Sequence, residues 1–277
     1  ISSMQEHLFL YIPLLTMGLM SQEYNRGSIK LLYSSPVTNR QIIFGKYLSM
    51  VICAAILVAI LFIYYVFTAF TIQNIDTPFA LTALLGVFLM ICAYAAIGLF
   101  MSSLTSYQVV AAVGTLAVLA VLNYIGHVGQ EISFVRDITY WLSISGRADT
   151  FLKGLICSED FLYFLLVIVL FVTLSILRLQ AERTKLSALQ SMLRYGGVIV
   201  VTLLIGYFSA RPALRCYYDA TEMKENTLTQ NSIDIMEKLD GPLTITTYAN
   251  MFDENYFRAL PRYYNEDFNR FEKYIRF

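Results

Sequence analysis

Residues 47–70 run without a single charged side chain, and that stretch dictates the solvent in which the chain can fold. A helix of about 20 mostly apolar residues crosses the hydrocarbon layer of a bilayer. Five further apolar runs, at 8–20, 79–101, 108–126, 161–177 and 195–210, follow the same pattern. The first contains Pro13, which membrane helices tolerate as a kink. The last is short, and Arg194 and Arg211 flank it as residues able to snorkel to the two interfaces. The composition agrees: 57% hydrophobic, 14% charged and a mean hydropathy of +0.58, against roughly 25% charged in a soluble domain. The expected fold class is therefore mainly α: a polytopic helical membrane protein with about six spans.

Lysine and arginine in the short loops predict orientation. Loops 21–46, 102–107 and 178–194 hold Arg26, Lys30, Arg40, Lys46, Arg178, Arg183, Lys185 and Arg194. The opposite loops, 71–78 and 127–160, hold only Arg136, Arg147 and Lys153. The first set is predicted to be cytoplasmic, which places the tail from Arg211 onward outside. The chain starts at Ile1 with no signal-peptide pattern. An additional helix upstream and a continuation beyond Phe277 are expected. Cys53 and Cys92 sit in apolar runs, whereas Cys157 and Cys216 fall in outside segments, where a disulfide between them is left open.

Several chemistries lack their residues. No G-x-x-x-x-G-K-[ST] run is present, so ATP binding through a P-loop is not expected in this chain. The two histidines, His7 and His127, are far apart, and neither an H-E-x-x-H nor a G-x-S-x-G pattern occurs. The chain is read as a non-enzyme with no cofactor of its own. Zero net charge gives no sign of a nucleic-acid partner. The span interiors lack Asp, Glu, Lys and Arg, which weighs against ion-coupled transport. Asn123 and Tyr124 are polar exceptions, read as an interhelical hydrogen bond. In loop 127–160, Ile132, Val135, Ile138, Trp141 and Leu142 recur at helical spacing and predict one amphipathic helix on the outer surface. Glu131, Asp137, Asp149, Glu159 and Asp160 are scattered and read as a solvated face.

The most informative stretch is loop 21–46. Ile29, Leu32 and Tyr33 share one helical face, with Glu23, Arg26 and Lys30 on the others. Pro36 ends that helix, and Thr38 with Gln41 forms a capping box for the next. Glu23, Gly27, Ser28, Leu31, Leu32, Ser35, Pro36, Gly45 and Lys46 together resemble the cytoplasmic loop of type-2 ABC exporter permeases, with Ser28 where that family usually has Thr. The segment 97–103 is similar to the family's fourth-helix end. In the tail, Thr229 is predicted to start a helix through Leu239, closed by Gly241 and Pro242, followed by a strand at 243–249 and a second helix from about Pro261. This is the start of an α/β domain. Residues 218–222, 227–229 and 239–245 resemble the beginning of the auxiliary subunit of gliding-motility-type ABC transporters.

The resemblance implies a permease over 1–177, a cytoplasmic linker over 178–194, an additional transmembrane helix over 195–210 and an extracytoplasmic α/β segment over 211–277, in a bacterial inner membrane. It implies an exporter whose ATP and magnesium are held by a separate cytoplasmic ABC ATPase. It also implies a second permease copy or homologue, with lipid around the dimer. The coupling loop is then Glu23, Arg26, Gly27, Ser28, Lys30, Leu32 and Pro36. The rival readings are a non-transporting membrane anchor or assembly protein presenting the outer domain, a lipid-modifying enzyme and a passive channel. The substrate has no legible mark.

Overall fold

A computed structural model describes residues 2–71, 76–128, 132–183, 187–209, 211 and 215–238, with isolated positions beyond. The chain is a polytopic helical membrane protein. Among the described residues four helices are long and apolar enough to cross a bilayer. They are α4 (Asn39–Thr71), α5 (Thr77–Leu104), α9 (Ser158–Arg183) and α10 (Ala188–Ser209). Of the other two apolar runs, one lies in α1 (Ser2–Thr16), around Pro13, and the other in α6 (Gln108–Tyr124). Both are shorter helices than the other four.

Helix α5 is the axis of the bundle. Its apolar window is 78% buried, against 11% for α4 and 6% for α10, whose outer faces are left for lipid. α1, α4, α6 and α9 all pack on α5. The crossing with α1 is close enough to require glycine: a Cβ on Gly98 would lie 2.0 Å from Thr16 Oγ1. Thr16 in turn donates to the Ile12 carbonyl at 2.9 Å, so its hydroxyl is satisfied inside the helix. Asp76 starts α5 by accepting from Phe79 N at 3.1 Å, with Pro78 in the first turn.

At one end of α5 the chain forms a pair of short helices, α2 (Ser21–Arg26) and α3 (Ile29–Ser34). The opposite end carries α7 (Ser133–Leu142), α8 (Ile144–Leu152) and a two-stranded antiparallel sheet. In that sheet β1 (Leu155–Cys157) pairs with β2 (Tyr217–Asp219), Cys157 opposite Tyr217. Strand alternation therefore turns Cys157 and Cys216 to opposite faces. Cys157 is buried, Cys216 exposed, and no disulfide joins them.

Three expectations need amendment. Loop 127–160 holds two helices rather than one, and α8 enters the core through Ile144, Ala148 and Phe151. Helices α9 and α10 outrun their apolar runs, and Arg194 lies within α10 rather than beside it. Hydropathy marks the bilayer, whereas helices continue wherever their backbone bonds do. Thr229 precedes α11 (Gln230–Met236), but its hydroxyl pairs with Ser232 Oγ at 3.0 Å instead of capping an amide. The strand expected at 243–249 and the helix expected from 261 lie outside the described residues.

Candidate functional site

The loop singled out in the sequence folds as a helical hairpin. Helix α2 closes on Gly27, whose φ of 73° is the left-handed conformation that glycine adopts without strain. Helix α3 closes on Ser35, extended at ψ 153° as the residue before Pro36 requires. The capping box is present: Gln41 N donates to Thr38 Oγ1 at 3.3 Å, and Thr38 N donates to Gln41 Oε1 at 2.9 Å.

The hairpin is fastened to the bundle at three points. Met20 N and Ser21 N both donate to Ser102 Oγ, at 2.9 and 3.0 Å, and Ser102 donates onward to the Met17 carbonyl at 2.9 Å. One hydroxyl thus joins the start of α2 to the end of α5. Second, Glu23 accepts from Ser28 Oγ and pairs with Lys46 Nζ at 3.0 Å, tying α2 to the first turns of α4. The Ser28 hydroxyl, and then the Lys46 ammonium, hold the Glu23 carboxyl below its ordinary range. Third, Tyr33 grips the end of α9. Its hydroxyl donates to Glu182 Oε2 at 3.0 Å, and Arg183 Nη2 donates to its carbonyl at 2.7 Å. The Arg183 guanidinium lies 4.9 Å from the Tyr33 ring centroid. Burial, then the Glu182 carboxylate, pushes the Tyr33 phenol up to about 12.

These ties sort the seven candidate residues into two groups. Glu23 and Ser28 face inward and bind each other. Leu32 is half-buried, packed with Ile29 and Tyr33 against Ile43, Leu99, Val172, Ile176 and Leu179. Arg26, Gly27, Lys30 and Pro36 are exposed. The apolar stripe of α3 is consumed by the chain's own core. The exposed apolar side chain is its neighbour Leu31, 73% accessible, with Val37 beyond the turn. Leu31 was part of the matched motif but not of the candidate set. The i, i+3, i+4 stripe of Ile29, Leu32 and Tyr33 was the signal that would have put it on the opposite face. The exposed residues of the hairpin and of the turn after it include three cations, Arg26, Lys30 and Arg40, and two apolar side chains, Leu31 and Val37. No group of three or more His, Cys, Asp or Glu residues placed to hold a metal occurs among the described residues.

A second polar cluster lies at the strand end of the bundle. Arg147 Nη1 pairs with Asp160 Oδ1 at 2.6 Å and Nη2 with Glu159 Oε1 at 2.8 Å. Glu159 also pairs with Arg215 at 2.9 Å. The solvated reading of Glu159 and Asp160 is therefore corrected: Asp160 is 6% exposed. The partner that draws the carboxylates inward, Arg147, comes from a different helix, and spacing along the chain gave no hint of it. Asn123 behaves as expected, accepting from Tyr94 OH at 2.9 Å across two helices.

The family model described as ABC-2 family transporter protein matches residues 8–211, a span that takes in the hairpin, α5, Arg147 with Glu159 and Asp160, and α10. No curated protein and no solved structure matches the chain.

Proposed function

We propose that this chain, which belongs to the ABC-2 transporter family and is a permease subunit of an ABC transporter, takes its power from a separate cytoplasmic ATPase that docks on the α2–α3 hairpin. The observation that carries the proposal is the hairpin's construction. Its inward side is bonded to three spans through Ser102, Lys46 and Glu182, while its outward side offers Arg26, Lys30 and Leu31 to a partner. A docked motor pushing on such an element moves α4, α5 and α9 together, the rigid-body switching by which packed helices change state. The complementary site on the ATPase is a groove with an apolar pocket for Leu31 and an acidic rim.

Sidedness follows the loop cations: the hairpin faces the cytoplasm of a bacterial inner membrane, and the strand end faces out. The remaining functional elements come with the type-2 exporter resemblance: outward transport, a second copy or homologue completing the pathway, and ATP with magnesium held by the ATPase. Residues 211–277, with their auxiliary-subunit-like segments, open an extracytoplasmic domain on the same reading.

The test is purification of the full chain from its native membrane, followed by Leu31→Asp in the same preparation. We expect a Walker-type ATPase to accompany the unaltered chain and its recovery to fall at least tenfold with Leu31→Asp. An accompanying ATPase indifferent to Leu31→Asp and to the double charge reversal Arg26→Glu/Lys30→Glu overturns the docking assignment. Absence of any ATPase favours the anchoring role.

A further inference from the structure

Helix α9 connects the hairpin to the buried charged cluster, and its two ends are held in unlike ways. It runs from Ser158 to Arg183 with no glycine or proline inside, about 39 Å at 1.5 Å per residue. An uninterrupted helix of this kind has no built-in hinge.

At the strand end, Arg147 of α8 reaches two other helices at once. It pairs with Glu159 and Asp160 in the first turn of α9 and donates through Nε to the Trp141 carbonyl of α7 at 3.2 Å. Its own helix, α8, adds Thr150, whose hydroxyl donates to Asp160 Oδ2 at 2.6 Å. The guanidinium lies 4.9 Å from the Tyr163 ring centroid, and Tyr163 OH donates to the Leu142 carbonyl at 2.7 Å. The Arg147 and Asp160 side chains are 6% and 8% exposed. A buried ion pair so fully partnered is costly to separate, because each charge would be left without water or counterion.

At the hairpin end the ties are Tyr33 to Glu182 and Arg183 to Tyr33, both exposed; within α9, Arg178 pairs with Glu182 at 3.2 Å, with side chains 36% and 25% exposed. Water competes for such groups, so they separate and re-form readily. Below them Val172, Ile176 and Leu179 of α9 share one apolar cluster with Ile29 and Leu32 of the hairpin.

We propose that α9 is a lever, with a fixed pivot at Arg147 and a driven end gripped by Tyr33. When the hairpin is displaced, Tyr33 draws the end of α9 with it, while Arg147 holds the other end in register with α7 and α8. Arg215, which leads into β2 and shares Glu159 with Arg147, stays with the pivot. The segment after α10 is thereby anchored to the stationary end. This inference rests on the docking reading for the force that moves the hairpin, although the inequality of the two ends does not.

The experiment is amide hydrogen exchange on the full chain in nanodiscs, alone and with any copurifying ATPase trapped with nucleotide. In the chain alone, Tyr33→Phe should raise exchange at residues 178–183 at least fivefold and leave 158–164 unchanged. Arg147→Lys should do the reverse, loosening 158–164 and 215–219 and leaving 29–34 unchanged. With ATPase present, trapping should alter protection at 176–183 but not at 158–164, and Tyr33→Phe should abolish that response with the ATPase still bound. Equal loosening of both ends by Tyr33→Phe, or none at either, overturns the lever, whatever copurifies. Absence of an ATPase counts against the docking reading alone.

Discussion

The two ends of the bundle are both closed by charged groups, and they differ in where water can reach. At the strand end, Arg147, Glu159 and Asp160 are enclosed by α7, α8 and α9. At the hairpin end, Glu23–Lys46 and Tyr33–Glu182 are open on one side. Enclosed pairs act as fixed joints, because parting them strands a charge. Open pairs set geometry at small free-energy differences and leave the element able to move. The sharpest way to break the comparison is Arg147→Met, which leaves two carboxylates without their shared cation. The expected loss is about 3–5 kcal/mol of stability, the range for removing one partner of a buried pair. Thermal unfolding in detergent measures it. A loss as small as that of an exposed pair would make the two ends equivalent. Restoring part of the loss with Asp160→Asn in the Arg147→Met background would identify the stranded charge as the cause.

Packing gives the hairpin end a fixed point of its own, and Gly98 tests how much it contributes. A side chain there meets Thr16 Oγ1 at 2.0 Å from the Cβ position, with Thr16 Cβ at 2.5 Å, so α1 and α5 must part. Gly98→Val should cost about 1–3 kcal/mol, as overpacking does in close-packed interiors, and should lower the unfolding temperature in the same assay. Gly98→Ala with Thr16→Gly, which removes the facing Cβ as well, should recover part of it. A Gly98→Val penalty matching that of Arg147→Met would mean that the hairpin end is held by packing as firmly as the strand end is held by charge.

What was legible in the sequence divides along the same line. The spans were readable because a bilayer demands apolar length, and that demand is local. The hairpin's punctuation was readable for the same reason: Pro36 fixes its predecessor, and Thr38 and Gln41 cap within one turn. Helix α8 was missed because its buried residues, Ile144, Arg147, Ala148 and Phe151, include a cation that no local rule places in a core. Strand β1, only three residues long, is too short for alternation to register. Asp160 was misjudged because its burial depends on Arg147, thirteen positions away on another helix. In the hairpin, the stripe of Ile29, Leu32 and Tyr33 was legible and put Leu31 on the opposite face. What spacing did not tell is that the chain's own core takes the stripe and leaves Leu31 as the exposed apolar residue.

The smallest expected effect concerns Glu23, and it sharpens the comparison through pH. Its carboxyl is held below the ordinary range by the Ser28 hydroxyl and then by Lys46, while Lys46 and Glu23 remain 25% and 29% exposed. A carboxyl whose folded pKa is depressed stabilises the fold above its unfolded pKa. That contribution disappears as pH falls through the folded value. Acidification through and below the usual glutamate range should therefore loosen α2 from α4, by no more than about 1 kcal/mol given the exposure of the pair. Exchange of the amides at 22–34, followed from neutral to acid pH and corrected for intrinsic rates, reads this directly. Glu23→Gln should show at neutral pH the protection that the unaltered hairpin reaches only in acid, and should flatten the profile. A profile that stays the same in Glu23→Gln would assign the acid response to another group and leave Ser102 and Tyr33 as the ties that fix the hairpin.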